Sequence, residues 1–198
     1  MEYVFIRTSA MKAMSKHPRS SLLVAMDTTY GICDNYVLTM IITSVPGGSY
    51  PLCMMFHKKE NAEAYCLLLL FLIASDPCPF GGQGMPKYIL TDDSKAESSA
   101  IESILHESEH ILCLVHVLRN IRGYPCLKGH KASFEKLAST AIISTNFDQV
   151  KSSLEEIAKL PTGHEGAAIL LHRLEKSCTK IFSIFRPTDI GFCFSTNG

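Results

Sequence analysis

The 198-residue chain has no excess of charge, since 19 Lys+Arg stand against 19 Asp+Glu and the pI is about 7.1. That balance excludes a polycationic nucleic-acid binder, which draws its affinity from counterions released along the phosphates. Any DNA chemistry must therefore rest on a local site. No apolar run is long enough to cross a bilayer. The longest, AYCLLLLFLIA over 64–74, is about half of the ~20 residues a crossing needs, and it predicts a buried helix and no membrane partner. The opening MEYVFIR lacks the basic stretch and apolar core of a signal peptide. Internal repeats, heptads and low-complexity segments are missing too. The 8 cysteines, at 33, 53, 66, 78, 113, 126, 178 and 193, are too scattered for a disulfide scaffold and point to a reduced intracellular compartment. What is present is apolar. With 46% hydrophobic and 19% charged residues and a mean hydropathy of +0.14, the chain can bury a sizeable core, as one domain or as one domain with a small attachment.

Along the chain, FIRTSAMKAMSKH (5–17) shows helical spacing and is closed by Pro18. Leu22 to Met26 (LLVAM) reads as a central strand ending at Asp27. YVLTMIITS (36–44) and YPLCMMF (50–56), separated by Val45-Pro46-Gly47-Gly48, complete an antiparallel meander. The period then changes. Asn61 is a candidate N-cap for a helix over 62–74, with Glu63 in its first turn. KYILT (87–91) is a strand ending at Asp92-Asp93. SKAESSAIESIL (94–105) is an amphipathic helix with Ala96, Ala100, Ile101, Ile104 and Leu105 on one face. HILCL (110–114) is a fifth strand, and a further helix starts at His116. From Gly123 onward the spacing is helical over 131–140, 147–160 and 165–185, and a last strand is expected at 190–195. The order β-β-β-α-β-α-β-α predicts a mixed α/β fold with a five-stranded sheet flanked by helices and a C-terminal helical insertion.

Asp27 and Asp92 carry the most chemical information. Each closes an apolar strand, and the two strands can lie side by side at the point where the chain reverses its winding, where strand ends open into a crevice. Two carboxylates there repel unless a cation sits between them, which points to a divalent metal. The alternative is two ordinary strand-terminal caps.

LLVAMDTTY (22–30), ILTDDSKA (89–96) and CLVHVLRN (113–120), together with the lead-in ending at Pro18 and the segment 60–70, resemble the Mutator-like element (MULE) transposase domain. That family has an RNase H-like fold and belongs to the DDE transposases. The likeness extends to the transposase-like domains of SWIM zinc-finger proteins. It implies a lead-in helix over 1–21, an RNase H-like core over 22–122, a helical insertion over 123–187 and the start of a final core segment over 188–198. It further implies that Asp27 is the first catalytic carboxylate and Asp92 the second, with Mg²⁺ or Mn²⁺ as cofactor, DNA as partner and a nuclear location. Asp93 falls at a variable position, with local capping as its expected role. The family's third acid follows the helical insertion in a Thr-Asn-x-x-Glu-Ser motif. Here the chain reads FSTNG (194–198), so Thr196-Asn197 would open the motif with its Glu beyond the last residue. Glu155, Glu156, Glu165 and Glu175 sit at charged-face spacing and read as solvated. The expectation is a transposase-derived domain of impaired catalysis that binds DNA weakly alone. The alternative is a non-catalytic module adopted for DNA or protein interaction or self-association.

Cys113 and His116 match the family's C-x2-H signature and are candidates for the second sphere of the site. With Cys126 and His130 they could make a four-ligand zinc site, the third reading of the chain. Zinc is the weaker expectation, because one C-x2-H pair cannot complete a tetrahedron and Cys113 can be a buried apolar residue. Met11, Met14, Met54 and Met55 are expected to be core filler. Lys58, Lys59, Arg119, Arg122 and the 128–131 charges make no dense stripe. Gly81-Gly82-x-Gly84 precedes a strand, so it is a loop and not a nucleotide-binding fingerprint.

Overall fold

The computed structural model describes residues 3–92, 94–113, 116, 119, 129–144 and 147–160. The chain divides into two compact units, Met1–Ile111 and Leu112–Gly198.

In the first unit, β1 (Tyr3–Ile6) is followed by two short helices, α1 (Ser9–Ser15) and α2 (Arg19–Leu22). A meander of β2 (Leu23–Cys33), β3 (Tyr36–Val45) and β4 (Gly48–His57) comes next. Then come α3 (Ala62–Ala74), β5 (Tyr88–Thr91), α4 (Lys95–Ile104) and β6 (Glu109–Leu112). The sheet order is β1-β4-β3-β2-β5-β6. The meander is antiparallel, and β2 pairs in parallel with β5.

Two features differ from the sequence reading. The lead-in begins with a strand, because Tyr3 to Ile6 pair antiparallel with Met54 to His57 of β4 and extend the sheet to six strands. Only this long-range partner selects strand over helix there. Strand β2 also does not stop at Asp27. Its ladder with β3 runs on through Thr29 and, after an irregularity at which Gly31 takes φ +74°, closes at Cys33↔Tyr36.

The core lies between the sheet and α3 and α4. Val24, Met26, Ile41, Leu52, Met55, Leu68, Leu69, Leu72, Ile89, Ala100 and Ile101 form one buried cluster, and Met14 packs against it. Helix α3 has the predicted limits, with Asn61 Oδ1 accepting from Ala64 N at 3.0 Å. Gly81 has φ +64°, and a Cβ there would come within 3.2 Å of His17 O, so only glycine lets the 80–82 turn lie on the start of α2.

In the second unit, α5 (Lys131–Ile143) packs on α6 (Phe147–Lys159) and buries Phe134, Ala138, Ala141, Val150 and Ile157. The helix expected at 165–185 and the strand at 190–195 lie outside the described residues.

Candidate active site

Register places the two aspartates. The parallel ladder pairs Leu23↔Tyr88, Val24↔Ile89 and Ala25↔Leu90. Carried two residues beyond the last pair, this register sets Asp27, still within β2, level with Asp92, one residue past the end of β5. Asp27 lies in β2 where β5 parts from it while β3 stays paired, through Asp27↔Met40. This is the switch from antiparallel to parallel neighbours, where a sheet opens a crevice at its strand ends. Asp92 is held by its own turn, its Oδ1 accepting from Ser94 N at 2.9 Å. The cap of α4 is Ser94, whose Oγ accepts from Glu97 N at 3.4 Å. Asp93 lies outside the described residues.

A third acid joins this pair, and the sequence reading passed it over. Glu97 sits in the first turn of α4 and is 1% exposed. Its Oε2 is buried with no hydrogen-bond partner. Burial pushes its carboxyl up to about 9, a hydrogen bond to Asp92 and the charges of Asp92 and Asp27 push the same way, and a hydrogen bond with Thr91 works against them. The strongest charges acting on Glu97 are therefore both negative, and the three acids share one electrostatic neighbourhood. A signal for it was present: Glu97 precedes Ala100, Ile101 and Ile104 by three, four and seven residues and so belongs to the apolar stripe.

The surroundings fix these acids firmly. Thr28, next to Asp27, bonds Thr39 Oγ1 at 2.8 Å, and Thr39 Oγ1 lies 2.7 Å from His57 Nε2. His57 Nδ1 is 2.8 Å from Lys59 O, which can only accept, so Nδ1–H is the donor. Thr91 Oγ1 donates to Asp92 O at 2.8 Å and stands 2.7 Å from His110 Nε2. Tyr30 is largely exposed, and its hydroxyl donates to Glu60 Oε2 at 2.5 Å. That bond, partial burial and the charges of Glu60, Asp92 and Glu97 raise it to about 12.

An all-oxygen, all-carboxylate set with one unpartnered oxygen fits a hard divalent cation such as Mg²⁺ or Mn²⁺ in its donor chemistry. Among the described residues, no three His, Cys, Asp or Glu side chains are already gathered as a cage. Cys113, His116 and His130 fall in the second unit, and Cys126 lies outside the described residues, as do Glu165 and Glu175. Glu155 and Glu156 are exposed on α6, the latter 2.6 Å from Lys159 Nζ, as a solvated face requires. No described helix is long and apolar enough to cross a membrane.

A three-stranded meander continued through helical crossovers, in the order β4-β3-β2-β5-β6 with acids level at its centre, is an RNase H-like fold. Residues 23–120, just under half of the chain, match the MULE transposase domain. Among solved structures, the chain is similar to one in the simian T-cell lymphotropic virus intasome in complex with PP2A regulatory subunit B56 gamma. That match has 17% identity over 76% of this chain and 47% of that one, with a TM-score of 0.34. The chain thus spans about half the length of that relative. It is also similar to the catalytic core domain of BIV integrase, at 15% identity over 81% of this chain and 98% of that one, with a TM-score of 0.32. No curated protein matches it.

Proposed function

We propose that the chain is a transposase-type catalytic core that cleaves or transfers DNA strands with a divalent metal, Mg²⁺ or Mn²⁺, held by Asp27 and Asp92. The observation that supports this reading is the β2–β5 register, which carried two residues on brings the Asp27 and Asp92 positions level where the sheet changes sense. When bound, the metal supplies activation of a water or 3′-hydroxyl and stabilisation of the leaving oxygen of a phosphodiester. The protein's part is to hold the carboxylates still. The Thr28–Thr39–His57 chain anchors the strand at Asp27, and the turn closed by Ser94 N orients Asp92. Asp27, paired on its β3 side, and Asp92, one residue past the end of β5, are the residues that would hold the metal. With zero net charge, the chain alone is expected to hold DNA weakly. A nuclear setting goes with this reading.

The test is nicking of supercoiled plasmid by the purified chain with Mg²⁺ or Mn²⁺. Slow, metal-dependent nicking that disappears in both Asp27→Ala and Asp92→Ala supports the proposal. Cleavage that persists in both variants marks a contaminant and overturns it. Intact plasmid under all conditions makes the chain a non-catalytic interaction module instead.

A further inference from the structure

We infer that Glu97 is a third carboxylate arm of the Asp27–Asp92 site, able to close on a divalent cation held there. The inference deepens the function proposed above, since it takes the two aspartates as the first ligands.

The case begins with where the residue stands. Glu97 follows Asp92 by five residues, across the turn that Ser94 caps, so the acid at the strand end and the acid in the helix's first turn are carried on one short, well-fixed segment. On the stripe defined by Ala100 and Ile101, an apolar side chain would complete the packing against the core without penalty. A carboxyl instead must be desolvated, which costs several kcal/mol unless the group is fully partnered. It is not. Oε2 is buried and unpartnered, while the same carboxyl hydrogen-bonds Asp92 and lies within the field of Asp27.

A structural role therefore accounts poorly for a glutamate here, whereas a cation accounts for it well. Carboxyl groups in contact need a shared proton or a cation between them, and a divalent ion seated on Asp27 and Asp92 would displace the proton and give Oε2 the partner it lacks. All the donors are carboxylate oxygens, which favours Mg²⁺ or Mn²⁺ over zinc. Because no ready cage of three acids is formed among the described residues, closure requires the Glu97 side chain to turn from Asp92 toward the ion. That is a movement of one side chain within a fixed backbone. This acid is distinct from the one that the family resemblance places after the helical insertion.

The experiment is a Mn²⁺ titration of the full chain at pH 7.5, followed by the electron paramagnetic resonance of the free ion, with melting temperatures recorded with and without Mn²⁺. Glu97→Gln is expected to weaken Mn²⁺ binding by about 10-fold or more, the scale already lost when only an outer-sphere partner is removed. Its metal-free melting temperature should not fall, and its Mn²⁺-induced rise should shrink. Should Glu97→Gln fail to fold, Glu97→Asp keeps the charge but withdraws the carboxyl by one methylene, and the same weakening is expected of it. Wild-type affinity in the folded variant overturns the inference. If Asp27→Asn and Asp92→Asn lose Mn²⁺ in that case, the two-aspartate site stands without a third arm. No Mn²⁺ binding by the wild-type chain overturns both.

Discussion

Two buried acids of the first unit are treated in opposite ways. Asp76, just after α3, lies among donors. Its Oδ2 is 3.0 Å from Arg7 Nη2 and 2.9 Å from Ser15 Oγ, and its Oδ1 accepts from Cys78 N at 3.2 Å. Burial alone would raise its pKa, but the hydrogen bonds from Ser15, Cys78 and Arg7 and the Arg7 charge outweigh it and hold the carboxyl below the usual range. Arg7 is itself spent on structure, reaching Ser75 Oγ at 2.6 Å, Ser15 Oγ at 2.8 Å and Leu52 O at 3.3 Å. Glu97, at the other acidic centre, has an oxygen with no donor and negative neighbours. A carboxylate that ties β1 to the core is fully satisfied. One left short of donors beside two other acids is not satisfied by the protein, and the proposed third arm rests on that contrast.

The largest way to break this contrast is Arg7→Ala. With side chains only 2% and 6% exposed, the Arg7–Asp76 pair has little solvent to fall back on. Losing one partner of such a pair costs about 3–5 kcal/mol, which urea denaturation would report. A loss under about 1 kcal/mol would mean that water replaces the guanidinium at Asp76.

Glu97→Gln should act in the opposite direction, and its sign depends on pH. Because the folded state raises this carboxyl from 4.5 to about 9, its contribution to stability is fully present below about 4.5 and is lost progressively as pH climbs toward about 9. The variant should therefore match the wild type near pH 4 and exceed it by roughly 1–3 kcal/mol near pH 8.5. Melting curves across that range check it, and a gain independent of pH would show that Glu97 is not held neutral.

Ser15→Ala probes the satisfied acid through a single hydroxyl. Removing the hydroxyl takes a hydrogen bond from Asp76 and another from Arg7 and should cost about 1.5–3 kcal/mol. The stability Asp76 contributes is present above its ordinary range and lost as pH falls through its lowered value, so the acid-induced loss should be smaller and complete at higher pH in the variant. An unchanged acid midpoint would assign the lowering to Cys78 N and Arg7 instead.

Local signals explain what could be read from the chain. Asn61 followed by an unbroken apolar run gave α3 its limits, because a cap and a helical run are short-range features. Asp27 and Asp92 were legible because each follows a buried apolar strand. The same logic missed β1, whose strand state depends on β4 some fifty residues later, and it ended β2 too soon because the partner that extends it is β3. Glu97 was passed over because a glutamate among SKAESSAIESIL resembles any charged helix face. Only its place on the stripe shared with Ala100 and Ile101 betrays that it turns inward.

The sequence by itself thus pointed to the family, to the order of strands and helices after the lead-in and to the two aspartates as candidates, since all of these are written in local pattern and spacing. The tertiary structure decided which strands meet, and with that the register that sets Asp27 level with Asp92. It also decided the partners of each buried acid. Arg7 reaches Asp76 across 69 residues, and Glu97, next to Asp92 on one local segment, comes under the charge of Asp27 only once β2 and β5 are paired. The charge balance of a buried group depends on neighbours that folding brings from afar, and no window of the sequence contains them.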